Sequence, residues 1–91
     1  MWDEGCRPSI RQDLQYRELE DGGVIYDTAA ERIHTLNLSA AYIWNCCDGS
    51  HNATEIASEL HQQGQVSAEQ ALRDVADALA YFHGEGLLRV Q

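Results

Sequence analysis

Residues 32–47 read Arg32-Ile33-His34-Thr35-Leu36-Asn37-Leu38-Ser39-Ala40-Ala41-Tyr42-Ile43-Trp44-Asn45-Cys46-Cys47, and the hydrophobic period changes inside them. The segment up to Leu36 is β-prone. Beyond it, Ala40, Ile43, Trp44 and Cys47 fall at i, i+3, i+4 and i+7, which is one face of a helix. A sheet therefore ends and a helical half begins within this stretch. Asn37 or Ser39 can cap the helix, and Asp48-Gly49 ends it.

Toward the N-terminus, Asp21-Gly22-Gly23 lies between the β-prone segments Leu14–Glu20 and Val24–Asp27. Asp-Gly between such segments signals a hairpin, because glycine tolerates the positive φ of a tight turn. Thr28-Ala29-Ala30-Glu31 is a second connection, leading to Arg32–Leu36. The first half is thus a three-stranded antiparallel meander. The sole proline is Pro8, and residues 1–12 read as a loosely held arm ahead of a domain over 13–91.

Toward the C-terminus, Ala53, Ile56, Ala57 and Leu60 repeat the helical spacing. Asn52 with Glu55 three residues on is a capping-box arrangement, and Gly64 closes this helix. Ser67 caps a third helix with Gln70 at the reciprocal position, and it runs to about His83, before Gly84-Glu85-Gly86. Leu87–Val90 reads as either a short strand or a packed tail. Three strands cannot bury a face alone, so the helices must cover it. The expected fold is α+β and winged-helix-like: a three-stranded antiparallel sheet followed by a three-helix bundle.

The third helix carries more apolar surface than a core stripe needs. Ala68, Ala71, Leu72, Val75, Ala76, Ala78, Leu79 and Phe82 span roughly 160° of its circumference at ~100° per residue. Leu72, Val75, Leu79 and Phe82 are expected to face the core. The flanking alanines reflect either helix propensity alone or a flank that lets another backbone approach closely.

Composition narrows the function. The chain has 91 residues, enough for one domain, with 44% hydrophobic residues for a small core. Six basic residues, all arginine, stand against fifteen acidic ones, giving a formal net charge of −9. That opposes a protein built to grip phosphate backbones. No apolar run approaches the ~18 residues of a membrane span. Met1-Trp2-Asp3-Glu4-Gly5 lacks a signal-peptide pattern. Cys6, Cys46 and Cys47 are odd in number and two are adjacent, so reduced thiols in a cytoplasm are expected.

No catalytic motif emerges. His34, His51, His61 and His83 lack the short pair spacing of zinc ligands, and neither a Ser/His/Asp order nor a glycine-rich phosphate loop is present. Cys47 lies on the apolar stripe and reads as core, whereas Cys46 lies off it. The expectation is no metal, no cofactor and no catalytic residues.

One set of fragments points further. Val24-Ile25-Tyr26-Asp27, Ile33–Asn37, Ala40–Trp44, Cys47-Asp48-Gly49, Glu55–Leu60, Asp74-Val75 and Gly86-Leu87-Leu88 occur in the order seen in the PqqD-like family, which this chain resembles over roughly residues 7–90. Members are RiPP recognition elements, small peptide chaperones of ribosomally made, modified natural products. The resemblance implies that the leader of a precursor peptide adds as a strand to the third β-strand, in a groove closed by the third helix. Carried onto this chain, the edge is Arg32, Ile33, His34, Thr35 and Leu36, and the groove wall is Leu72, Val75, Ala76 and Leu79. It further implies delivery of the peptide to a modifying enzyme such as a radical-SAM protein, as in pyrroloquinoline quinone biosynthesis. Two other functions compete: a dimeric scaffold pairing through the same exposed strand, and a winged-helix DNA-binding regulator, which the charge opposes. An enzyme acting alone has the least support.

Overall fold

The structure is a computed structural model and describes residues 7–64 and 66–90. Three strands form the meander: β2 (Gln15–Leu19), β3 (Gly22–Asp27) and β4 (Arg32–Asn37), in the order β2-β3-β4 with antiparallel pairing throughout. Three helices follow: α1 (Leu38–Asn45), α2 (Ala53–Gln62) and α3 (Ala68–Gly84). The α+β architecture expected from the sequence is the one observed.

The caps explain where the helices start. The Asn37 side chain accepts from the Ala40 backbone N–H at 2.8 Å, so of the two candidate residues Asn37 is the cap. Asn52 and Glu55 form the reciprocal capping box at 2.8 and 2.9 Å. Ser67 accepts from the Gln70 N–H at 3.1 Å. Each bond satisfies an N–H that the helix itself leaves without a partner.

The hairpin turn sits one residue earlier than its glycines suggest. Leu19 pairs with Gly22, so Glu20-Asp21 make the turn and Gly22 lies in β3. Gly22 is required there for space: its φ is 154°, and an added Cβ would collide with the Leu36 carbonyl of β4. The constraint on Gly22 comes from the neighbouring strand.

One face of the sheet packs on the helices. Ile25 is fully buried, with His34 beside it in register and Leu36 two residues along β4. Trp44 lies at the centre, its ring edge-to-face with Phe82 at 5.1 Å and 6.2 Å from Tyr16. On α3 the buried stripe is Ala71, Val75, Leu79 and Phe82. Leu72 is not in it: 54% of Leu72 is exposed, and the alanine at 71 takes the buried place. At ~100° per residue, 71, 75, 79 and 82 fall within about 80° of one another, while Leu72 lies at the margin of that arc.

The N-terminal segment is not a loose arm where it is described. Residues Pro8–Ile10 form β1, paired antiparallel with β5 (Leu88–Val90). The Ile10 N–H donates to the Cys47 carbonyl at 3.0 Å, and the Gly49 N–H donates to the Pro8 carbonyl at 2.9 Å. Arg11 donates to Gly86 O at 2.7 Å and bridges Asp13 and buried Asp27. A proline at the first residue of a strand costs no ladder bond, so Pro8 does not exclude the pairing. The open choice at the C-terminus resolves as a strand for the same reason. Residues 1–6, including Cys6, lie outside the described residues.

Candidate functional site

The candidate site is built from β4 outward. β4 pairs with β3 on one side, and no described strand pairs with it on the other. Its alternate side chains divide by face: His34 and Leu36 turn to the helices and are buried, while Ile33 is 68% exposed. Arg32 is exposed and ion-paired to Glu85 after α3 at 2.9 Å.

A groove of about 520 Å³ runs between the second half of β4 and α3, floored by the start of α1. Thr35 and Leu36 line it from the strand. Asp74, Asp77, Ala78 and Tyr81 line it from α3. Tyr81 reaches back to the sheet, where its hydroxyl lies 2.7 Å from His34 Nδ1 and the two rings meet edge-to-face at 5.7 Å. The His34–Tyr81 contact thus ties the edge strand to the helix beside it.

The expected wall of Leu72, Val75, Ala76 and Leu79 is not the wall of this groove. Val75 and Leu79 are buried core, at 1% and 0% exposure. Leu72 and Ala76 are exposed on the other side of the core stripe. Leu72 and Tyr81 are nine residues apart, which at ~100° each is half a turn. The sequence did carry the signal for the observed wall. Positions 74, 77, 78 and 81 are themselves an i, i+3, i+4, i+7 face, lying beside the buried stripe. Two aspartates in that face hid it from a search for apolar residues. The small-residue flank does reach the groove, through Ala78.

A second cluster was not anticipated. Ser50 donates to Asp48 Oδ1 at 2.6 Å, His51 Nδ1 is 3.1 Å from Ser50 Oγ, and His51 Nε2 is 3.0 Å from Glu59. These are the residue types of a nucleophilic triad. Their arrangement serves another purpose: the serine proton is directed to a carboxylate, and the group closes the turn entering α2. The Ser50 hydroxyl and N–H, with His51, hold the Asp48 carboxyl down at about 2.

The thiols are poorly suited to chemistry. Burial pushes Cys47 up to about 12, and Cys46 is raised by partial burial and by Glu59. No cluster of three or more His, Cys, Asp or Glu among the described residues is placed to hold a metal. Among the described residues, no helix is long and apolar enough to cross a membrane.

Comparison with known proteins decides the family. The family model for PqqD, coenzyme PQQ synthesis protein D, matches residues 22–88. The chain belongs to the PqqD family. The match takes in the groove and leaves out β1 and β2. No curated protein matches. Three solved structures share the fold. A lasso peptide synthetase B1 complexed with the leader peptide is 22% identical, with a TM-score of 0.77 over 91% of this chain and 98% of that one. TbiB1 in complex with the TbiA(beta) leader peptide is 18% identical, with a TM-score of 0.77 over 89% and 94%. The PqqD portion of Methylobacterium extorquens PqqCD, a stand-alone RiPP recognition element, is 21% identical, with a TM-score of 0.72 over 90% and 87%.

Proposed function

We propose that this PqqD-family chain is a RiPP recognition element. It binds the leader of a precursor peptide as an added strand on β4, within the groove beside α3, and presents that peptide to a separate modifying enzyme. The observation that carries this reading is the combination of an unpaired β4 edge with a groove walled by a helix. β2 is also a sheet edge, and its last residues, Glu18 and Leu19, line a second cleft of about 540 Å³ against α1 and α2; the groove walled by α3 belongs to β4. An added strand gains main-chain hydrogen bonds from β4, and its alternate side chains enter the groove for specificity. Two of the solved relatives carry leader peptides, which supports the same use of this fold.

On this reading the chain holds and does not catalyse. Catalysis falls to a partner, with a radical-SAM enzyme of the kind used in pyrroloquinoline quinone formation as the leading candidate class. Duplex DNA is disfavoured, because α3 presents Glu69, Asp74 and Asp77 beside a single Arg73 that is within reach of Glu69 at 3.7 Å.

The experiment is an NMR titration with the leader of a precursor peptide encoded beside the gene. Amide shifts in residues 32–37 and 74–81 are expected. Shifts confined to other elements would overturn the proposal. The exposed Ile33 beside the free edge favours one second reading, pairing of two copies through β4. Light scattering distinguishes them: a dimer that dissociates on peptide addition supports competition for that edge, and a dimer indifferent to peptide supports the scaffold.

A further inference from the structure

The groove has a sign of charge. Among the described residues lining it, Asp74 and Asp77 are the only charged ones. Asp74 is held in place by the Gln70 amide, which donates to its Oδ1 at 2.8 Å. The arginines of β4 and α3 are already engaged: Arg32 pairs with Glu85, and Arg73 is directed toward Glu69. The chain as a whole carries −9 and has no lysine to answer these carboxylates.

A strand added to β4 has two faces, because successive side chains alternate. One face follows His34 and Leu36 toward the helices. The other follows Ile33 and Tyr26, which are cross-strand neighbours on the outer face of the sheet. The helix-facing side chains of the added strand meet Asp74 and Asp77.

From this we infer that the cargo is a peptide segment carrying lysine or arginine on its helix-facing positions. Resting on the strand-addition reading, the inference adds the peptide's charge and the face that bears it. A basic side chain completes the two carboxylates, while an acidic one at the same place meets like charge at short range. Ala78, one turn along α3 from Asp74 and next to Asp77, leaves room for a long side chain to reach either one.

The test is selection of random displayed peptides on the immobilised full chain and, in parallel, on the Asp74→Asn/Asp77→Asn variant, with NMR mapping of the enriched peptides. Asparagine keeps the shape of aspartate and an acceptor for Gln70, and circular dichroism checks that the variant folds. The variant also retains most of the net negative charge, so a non-specific preference for basic peptides appears equally in both selections. Peptides enriched on the natural chain are expected to carry Lys or Arg at alternate positions and to shift amides in 32–37. Their affinity is expected to fall roughly fivefold on the variant and with rising salt. If the peptides map to β4 but show no excess of basic residues over those from the variant, the charge inference is overturned and strand addition stands. If the enriched peptides shift amides only outside 32–37, or none is enriched, both are overturned.

Discussion

Trp44 shows how much one residue can decide in a chain this small. It is 2% exposed and packs against Tyr16 on one side and Phe82 on the other. Trp44→Ala should cost about 3–5 kcal/mol by leaving a cavity at the centre of the core. For a 91-residue domain that is a large part of its total stability, and the urea midpoint at neutral pH should fall steeply relative to the natural chain. Asp48 makes a smaller, pH-dependent contribution. Its folded value of about 2 lies below the unfolded one near ~3.9, so the carboxylate stabilises the fold at higher pH. That contribution is lost as pH falls from about 4 toward 2. The urea midpoint of Asp48→Asn should lie below that of the natural chain at pH 5, and the gap should close near pH 2. A constant gap would show that charge at Asp48 is not the cause.

At the scale of elements, the helix starts were legible because caps are local. Asn52 with Glu55, and Ser67 with Gln70, are each three residues apart, so spacing alone predicts the Asn52–Glu55 box and the Ser67 cap, whereas the Gln70 side chain turns to Asp74 instead of completing a second box. The faces of α3 were less legible. A helix reading can rank residues by polarity, but it cannot say which side of the core stripe another strand will approach. Leu72 looked like core and is exposed; Asp74 and Asp77, which fall outside the apolar face of the helix, line the groove. This correction sets a direct contrast. Ala78→Trp should fill the groove and abolish leader-peptide binding while leaving the fold intact, because Ala78 is only half-buried. Ala76→Trp, on the far side of α3, should bind as the natural chain does. Calorimetric titration of both variants checks this, and equal loss in both would remove the groove from its assigned place.

Across the whole molecule, the meander and the helices followed from local patterns, while the closure of the chain on itself did not. β1 and β5 are three residues each and meet across nearly the full length of the sequence. Strands so short carry no periodicity, and the proline that opens β1 reads as a breaker. Their pairing, with the Arg11 bridge to Asp27 and Gly86, binds the N-terminal segment to the end of α3. A chain lacking residues 1–10 should therefore melt at least about 5 °C lower, which for this size corresponds to the loss of ~1 kcal/mol. An unchanged melting temperature would mean that β1 is held without stabilising the domain. Among the described strands, β4 is the sheet edge whose groove is walled by α3, and strand addition is proposed there. Amide hydrogen exchange of residues 32–37, with and without the leader peptide encoded beside the gene, tests that account most directly. Alternate amides along the open side of β4 should exchange at least tenfold more slowly when the peptide is saturating. Unchanged exchange in β4 while the peptide is bound would contradict strand addition at this edge.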